Sequence, residues 1–281
     1  MNLMDNLDAQ QSFLLDNQHF YSSETVRSYR ISLGQFFNFC GKDYDAIKPS
    51  NIRVWLSHME GEGFKPRTIN LKLSAVKSFY QYCMEEQKIK KDPTITIETP
   101  QKEETLPYYL SKRRLALLQE LVKGNPRDRA IVETLYTTGV RISECLNIRM
   151  EDIKWESRQI WIRKGKGNKE RFVLFTHECA ERLNEYLEKR SFESPFLFAS
   201  PRGESLSRCL IDHQFREFSG ELGFKVTPHT LRHTFAAHLA EKNMPQSYIQ
   251  ELLGHANINS THIYTRLREN ARKKQYDRYQ T

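Results

Sequence analysis

The sequence has little of what would build a secreted, membrane-spanning or metal-centred protein. Its five cysteines (Cys40, Cys83, Cys145, Cys179 and Cys209) are odd in number and lie 30 or more positions apart. They form no CxxC pair, which argues against a disulfide framework and against a zinc ribbon. No run approaches the ~18 uninterrupted apolar residues of a membrane span. Met1 to Asn17 carries Asp5, Asp8 and Asp16 and no basic flank, so it does not read as a secretory signal. No Walker-type loop is present, nor a carboxylate cluster of the kind that holds two metal ions. Internal repeats and low-complexity tracts are also missing. The expectation is a soluble protein of a reducing compartment, cytoplasmic, with no membrane partner and no cofactor.

What is present is enough apolar residue for a packed core and an uneven charge. The chain has 281 residues, 38% hydrophobic and 28% charged, and at about 150 residues per domain it has room for two modest domains. The net charge is +8 and the pI about 9.1. Residues 1–98 hold 12 Lys and Arg against 12 Asp and Glu, whereas residues 99–281 hold 31 against 23. A neutral part followed by a basic part points to a polyanion partner for the second domain, or to a merely solvated basic surface.

The first ~90 residues read as four helices, near Leu3 to Asp16, from Ser22/Ser23 to Cys40, from Asn51 to Glu60 and from Pro66 to about Ile89. Val26, Tyr29, Leu33, Phe36, Phe37 and Cys40 recur at helical spacing, and Gly41 stops that run. Residues 93–107, with Pro93, Pro100 and Pro107, lose this periodicity and read as an extended linker. Helical patterns resume at Ser111 to Val122, Arg127 to Thr138 and Ile142 to Ile148. Two short β-type runs follow, Gln159 to Arg163 and Arg171 to Phe175, joined by the lysine-loaded hairpin Lys164-Gly165-Lys166-Gly167-Asn168-Lys169. Helices then cover Thr176 to Arg190, Leu206 to Gly220 and His229 onward. The expected organisation is a helical domain over 1–92, a linker over 93–107 and a mostly helical domain with a small sheet over 108–281.

Four clusters in the second domain carry chemistry. In Thr138-Gly139-Val140-Arg141-Ile142-Ser143-Glu144, Gly139 can end one helix and leave Arg141 at the start of the next; alone, this is an ordinary surface arginine. Lys166 sits between glycines at a hairpin tip, where it can reach a ligand; alone, this is a polar turn. In Thr227-Pro228-His229-Thr230-Leu231-Arg232-His233 the helix start is well signalled, and His229 and Arg232 fall at i and i+3 on one face, opposite Leu231, Phe235 and Leu239. A zinc site on His229 and His233 would need a third ligand and a base, and the HExxH glutamate is missing, so no metal is expected. In Leu252-Leu253-Gly254-His255, Gly254 reads as a helix cap with His255 just beyond it, and Tyr264 follows nine residues later; alone, that tyrosine is packing. Together, two arginines, a lysine, two histidines and a tyrosine suit a phosphodiester. Arginine forks bind phosphate oxygens and stabilise a pentavalent transition state. A tyrosine can be the nucleophile, a histidine its base and a lysine the acid for the departing oxygen.

These segments, in this order, resemble the signature of the tyrosine site-specific recombinases, the phage-integrase and Xer family, over about nine-tenths of the chain. The resemblance implies a two-domain clamp, mainly α. Its first part would be a four-helix, SAM-like core-binding domain; its second, an α-helical catalytic domain with a small β-sheet. It implies Arg141 and Arg232 as phosphate clamps, Lys166 as general acid and His229 as proton acceptor. His255 would hydrogen-bond the phosphate, and Tyr264 would attack it to leave a 3′-phosphotyrosyl link and a free 5′-hydroxyl. Glu144 would hold the arginine turn. Exchanging one phosphodiester for another conserves bond energy, so neither ATP nor metal is required. The implied partner is double-stranded DNA with an inverted-repeat core site, bound by a homotetramer on synapsed DNA in the nucleoid, with accessory proteins in some members. Arg67, Thr68, Asn70, Lys72 and Lys77, near the start of a long helix, are expected to contact DNA. The basic tail from Arg266 to Thr281 would dock on a neighbouring protomer or bind DNA. The implied role is dimer or cointegrate resolution, or integration and excision. The alternatives are a non-catalytic DNA clamp of the same fold, a type IB topoisomerase-like enzyme and a metal-dependent nuclease.

Overall fold

Capping chemistry punctuates the chain much as the sequence pattern predicts. The computed structural model describes residues 3–99, 107–163 and 170–254, and divides into two compact units, Met1–Glu103 and Glu104–Thr281. The first unit contains α1 (Leu3–Asp16), α2 (Ser23–Cys40), α3 (Pro49–Gly61) and α4 (Pro66–Glu85). Ser22 accepts from the Thr25 amide at 3.2 Å to open α2. Gly41 closes it in the left-handed region, φ 57°, a conformation that a side chain disfavours. Proline at the first turn starts both α3 and α4.

The inward stripes of these helices meet in an aromatic core. Phe13, Phe36, Phe79 and Tyr80 are fully buried, and the Phe79 ring stands edge-on to Phe13 at 5.7 Å and to Phe37 at 5.4 Å. The helix α4 stops at Glu85, short of the expected Ile89, because Gln87 turns the chain at φ 54°. The chain beyond it stays against this unit. Thr94 and Ile97 are buried, and Lys77 Nζ donates to the Ile97 carbonyl at 2.7 Å, so the stretch expected as linker begins as packed chain.

The second unit holds α5 (Lys112–Leu121), α6 (Pro126–Thr138), α7 (Ile142–Leu146), β1 (Ile153–Lys154), β2 (Gln159–Ile162), β3 (Arg171–Leu174), α8 (His177–Lys189), α9 (Arg208–Leu222), α10 (Pro228–Glu241) and α11 (Gln246–Leu253). The strands form an antiparallel sheet in the order β1-β2-β3, with Ile160 opposite Val173 and Trp161 opposite Phe172. Ile160, Ile162 and Val173 face the core; Trp161, Phe172 and Leu174 face outward. The two-residue β1 was not expected, since so short a strand has no periodicity to read. The helix α6 lies in the middle, packed by α8 and α10. It is buried on several sides, with Asp128 and Glu133 inside among Ala130, Ile131, Val132 and Leu135. The helical run expected from His229 onward is broken between α10 and α11, where Asn243 adopts φ 64°. No described helix is long and apolar enough to cross a membrane. The mainly helical architecture with one small sheet agrees with the sequence reading.

Candidate active site

The site grows from a glycine at a crowded helix end. Gly139 ends α6 at φ 62°, and a Cβ there would lie 2.3 Å from Phe235 Cδ1 and 3.1 Å from Leu253 Cδ2. That close approach joins the end of α6 to α10 and α11. Two residues on, Arg141 occupies the N-cap of α7. Its backbone N–H donates to Glu144 Oε2 at 2.8 Å and its Nη1 to Glu144 Oε1 at 2.7 Å. A carboxylate at the third helical position thus ties back to the cap and complements the helix N-terminus.

Arg232 comes from the second turn of α10. Its Nη1 donates to the carbonyl of Gly139 and its Nη2 to that of Leu253 at 2.7 Å. The expected core face of α10, with Leu231, Phe235 and Leu239, leaves His229 and Arg232 opposite, yet Arg232 is inside as well. It is only 4% exposed, because α10 is covered on most sides rather than along one stripe. His229, one turn earlier, is exposed, and its ring meets that of His233 edge-on at 4.2 Å.

A third arginine completes the arrangement. Arg171, from β3, donates from Nη1 and Nη2 to the two Glu144 oxygens at 3.1 and 2.8 Å, and from Nε to the Leu252 carbonyl at 3.2 Å. Arg141 Nη2 reaches the Gly254 carbonyl at 3.4 Å. Three successive carbonyls at the C-terminal end of α11, those of Leu252, Leu253 and Gly254, therefore each accept from a different guanidinium. These are carbonyls that the helix itself leaves without partners, at its negative pole. Burial alone would raise the Glu144 pKa. Hydrogen bonds from Arg171 and the Arg141 amide, with the charges of both arginines, outweigh it and hold the carboxyl below its ordinary value.

Behind this layer the chain entering the second unit is fastened to α10. The Leu110 amide donates to Thr234 Oγ1 at 2.9 Å, and Tyr109 Oη donates to Glu241 at 2.9 Å. His238, buried, contacts the Leu110 carbonyl through Nε2 at 3.0 Å and Tyr136 Oη through Nδ1 at 3.1 Å. A carbonyl only accepts, so Nε2 carries the proton and Nδ1 accepts a hydrogen bond from the Tyr136 hydroxyl. Burial lowers the His238 pKa, in keeping with this neutral tautomer.

Of the six residues expected to be catalytic, the structure brings Arg141 and Arg232 to the end of α11 and sets His229 on the exposed start of α10. Lys166, His255 and Tyr264 lie outside the described residues, as does the basic tail. Sequence reasoning missed Arg171. Its only signal was a charged residue opening a β-type run straight after the lysine-bearing hairpin. Among the residues expected to touch DNA, Arg67 is exposed and Thr68 partly so. Lys72 is held by Gln35 and lies over the Phe64 ring at 5.6 Å, with burial lowering its pKa. Lys77 is engaged with Ile97. Asn70 is buried, 4% exposed, on the inward side of α4, so it does not share the face of Arg67. Among the described residues no group of three or more His, Cys, Asp or Glu could hold a metal ion.

Comparison with known proteins agrees with this architecture. The model of the phage integrase family matches residues 110–271, and that of the phage integrase N-terminal SAM-like domain matches residues 12–87. A tyrosine recombinase XerC of Anoxybacillus flavithermus is 34% identical over 263 residues, 87% of each chain. A tyrosine recombinase XerA of Pyrococcus furiosus is 35% identical over 252 residues, 88% of this chain and 84% of that one. The crystal structure of a XerA recombinase aligns at 30% identity with a TM-score of 0.56, covering 98% of this chain and 99% of that chain. The chain belongs to the phage integrase family and is a Xer-like tyrosine recombinase, an enzyme of site-specific DNA cleavage and rejoining.

Proposed function

We propose that Arg141, Lys166, His229, Arg232, His255 and Tyr264 form one active site that exchanges DNA strands through a 3′-phosphotyrosyl intermediate. The observation that carries this reading is the meeting of Arg141 and Arg232 at the end of α11, next to the residue that precedes His255. Two guanidiniums on a common anchor supply the positive field that a pentavalent phosphate needs. The same field lowers the cost of ionising a tyrosine whose pKa is otherwise near 10. In this reading His229, exposed at the start of α10, accepts that proton, and Lys166 donates one to the departing 5′ oxygen.

The substrate is double-stranded DNA. The first domain, residues 1–92, grips the core site with Arg67, Thr68 and Lys72 on its side, the linker spans 93–107, and residues 108–281 do the chemistry. A XerH recombinase at 22% identity was crystallised on a palindromic difH substrate, and an inverted-repeat core site is the corresponding proposal here. Four copies act on two synapsed sites in the cytoplasm, at the nucleoid, with accessory proteins where direction must be set. Similarity to tyrosine recombinases favours a recombinase over a topoisomerase or an inactive clamp, with resolution of DNA dimers or cointegrates, or integration and excision, as its role. The test is a nicked duplex, selected for binding from the DNA around the gene, incubated with protein in EDTA. A phosphotyrosyl peptide containing Tyr264 is the expected product, absent from Tyr264→Phe, which still binds the site. Tight binding without adduct at any nick position would leave only the clamp.

A further inference from the structure

We propose that Arg171 is a positioning residue for Arg141, acting by charge: it satisfies Glu144 so that the positive charge of Arg141 stays available to phosphate. The inference rests on the reading of Arg141 as a phosphate clamp. Its basis is an imbalance in the cluster, where two guanidiniums share one carboxylate. The Glu144 side chain is 3% exposed, and its two oxygens take four donors, two from Arg171 and two from Arg141. Arg171 is 11% exposed and turns inward. Its third donor is on the Leu252 carbonyl, and it packs against Gly254, where a Cβ would lie 3.0 Å from its Cδ, Nε and Cζ. Arg141 is 27% exposed, and among the described residues its Nη2 makes only the long 3.4 Å contact to Gly254. The cluster therefore carries one net positive charge, and the guanidinium that faces outward is that of Arg141.

Without Arg171 the balance changes. A carboxylate buried this deeply would face Arg141 alone, and at low effective dielectric the two would form a tight, nearly neutral pair. The phosphate would then compete with Glu144 for the same guanidinium. A role as mechanical strut and a role as counter-charge make opposite forecasts for one double variant. Arg171→Gln leaves the cluster with no net charge, and adding Glu144→Gln restores a net charge of one on Arg141. A strut, by contrast, is weakened further by each loss.

The experiment measures single-turnover adduct formation on the nicked duplex in EDTA. It uses the full chain, Arg141→Ala, Arg171→Gln, Arg171→Lys, Glu144→Gln and Arg171→Gln/Glu144→Gln, each checked for cooperative unfolding. Arg171→Gln should slow the adduct by about tenfold or more. The double variant should recover most of that loss, and Arg171→Lys should keep more activity than Arg171→Gln. Salt titration of binding to an intact duplex gives a second readout, independent of cleavage. Its slope should fall by roughly one unit in Arg171→Gln and return in the double variant. A double variant as slow as Arg171→Gln or slower, with no return of the slope, overturns the counter-charge role. An Arg141→Ala protein that forms adduct at the parent rate would instead sink the reading of Arg141, and the salt slopes would still rank the charge of the cluster.

Discussion

The two units solve the problem of a small core in different ways. In the first, the buried polar side chains among the described residues are the neutral Asn6, Gln10, Ser32, Asn70 and Thr94, and the interior is an interlocked set of aromatic rings. In the second, ionisable side chains are buried at Asp128, Glu133, Glu144, Asp152, Arg232 and His238. Each of these is held by partners: Glu133 by Arg129 and Gln119, Asp152 by Arg163, and Glu144 by two arginines. Buried charge is costly unless paired and contributes little net stability. The second unit bears that cost by pairing each buried group, while the first fills its interior with aromatic rings. The lesson is that burial of charge, more than net charge, distinguishes the catalytic unit.

The contrast can be broken at several points. Phe79→Ala should give the largest loss of stability, about 3–5 kcal/mol, because it empties the centre of the aromatic core. Denaturant unfolding should show that loss in the first unit, with the circular dichroism of the second unit's helices surviving to higher denaturant. Gly139→Ala and Gly41→Ala then compare the same left-handed helix end in two settings. Nothing lies within 4 Å of a Cβ at Gly41, so only backbone strain of about 1 kcal/mol applies. At Gly139 the clash with Phe235 adds to the strain, for about 3 kcal/mol in all. Gly139→Ala should also depress adduct formation, whereas Gly41→Ala should leave it near the parent rate.

The smallest effect is a slope with pH. The folded His238 has its pKa lowered from 6.5 by burial, so between the two values the unfolded chain binds more protons. Stability from this group is therefore complete above about pH 6.5 and falls as the pH drops through the folded value. In His238→Gln the midpoint of thermal unfolding should fall less steeply between pH 7 and 5 than in the parent. An equal slope in both would remove His238 as the acid-sensitive group. Glu144 acts on the same side, its lowered pKa giving stability that is lost only at lower pH.

Much of this was readable before any coordinates. The caps at Ser22 and Thr227 and the stops at Gly41, Gly139 and Gly254 are local chemistry, so these helix limits followed from neighbouring residues. The strand β1 was illegible because two residues carry no period. The burial of Arg232 was illegible because a helix wheel shows one apolar stripe and cannot show that α6 and α11 pack against the other sides. Arg171 was invisible for a related reason. Its partners, Glu144 and Leu252, are 27 and 81 residues away.

By itself, then, the sequence determined the helical class, the order of the elements, the family and the set of charged groups, since each rests on short-range periodicity, capping or motif spacing. Only the tertiary structure decided which guanidiniums share a carboxylate, which carbonyls of α11 they hold, and which arginine faces outward. Those outcomes depend on distances between segments far apart in the chain, set by packing around Gly139 and Gly254, where the absence of a side chain lets the elements close together.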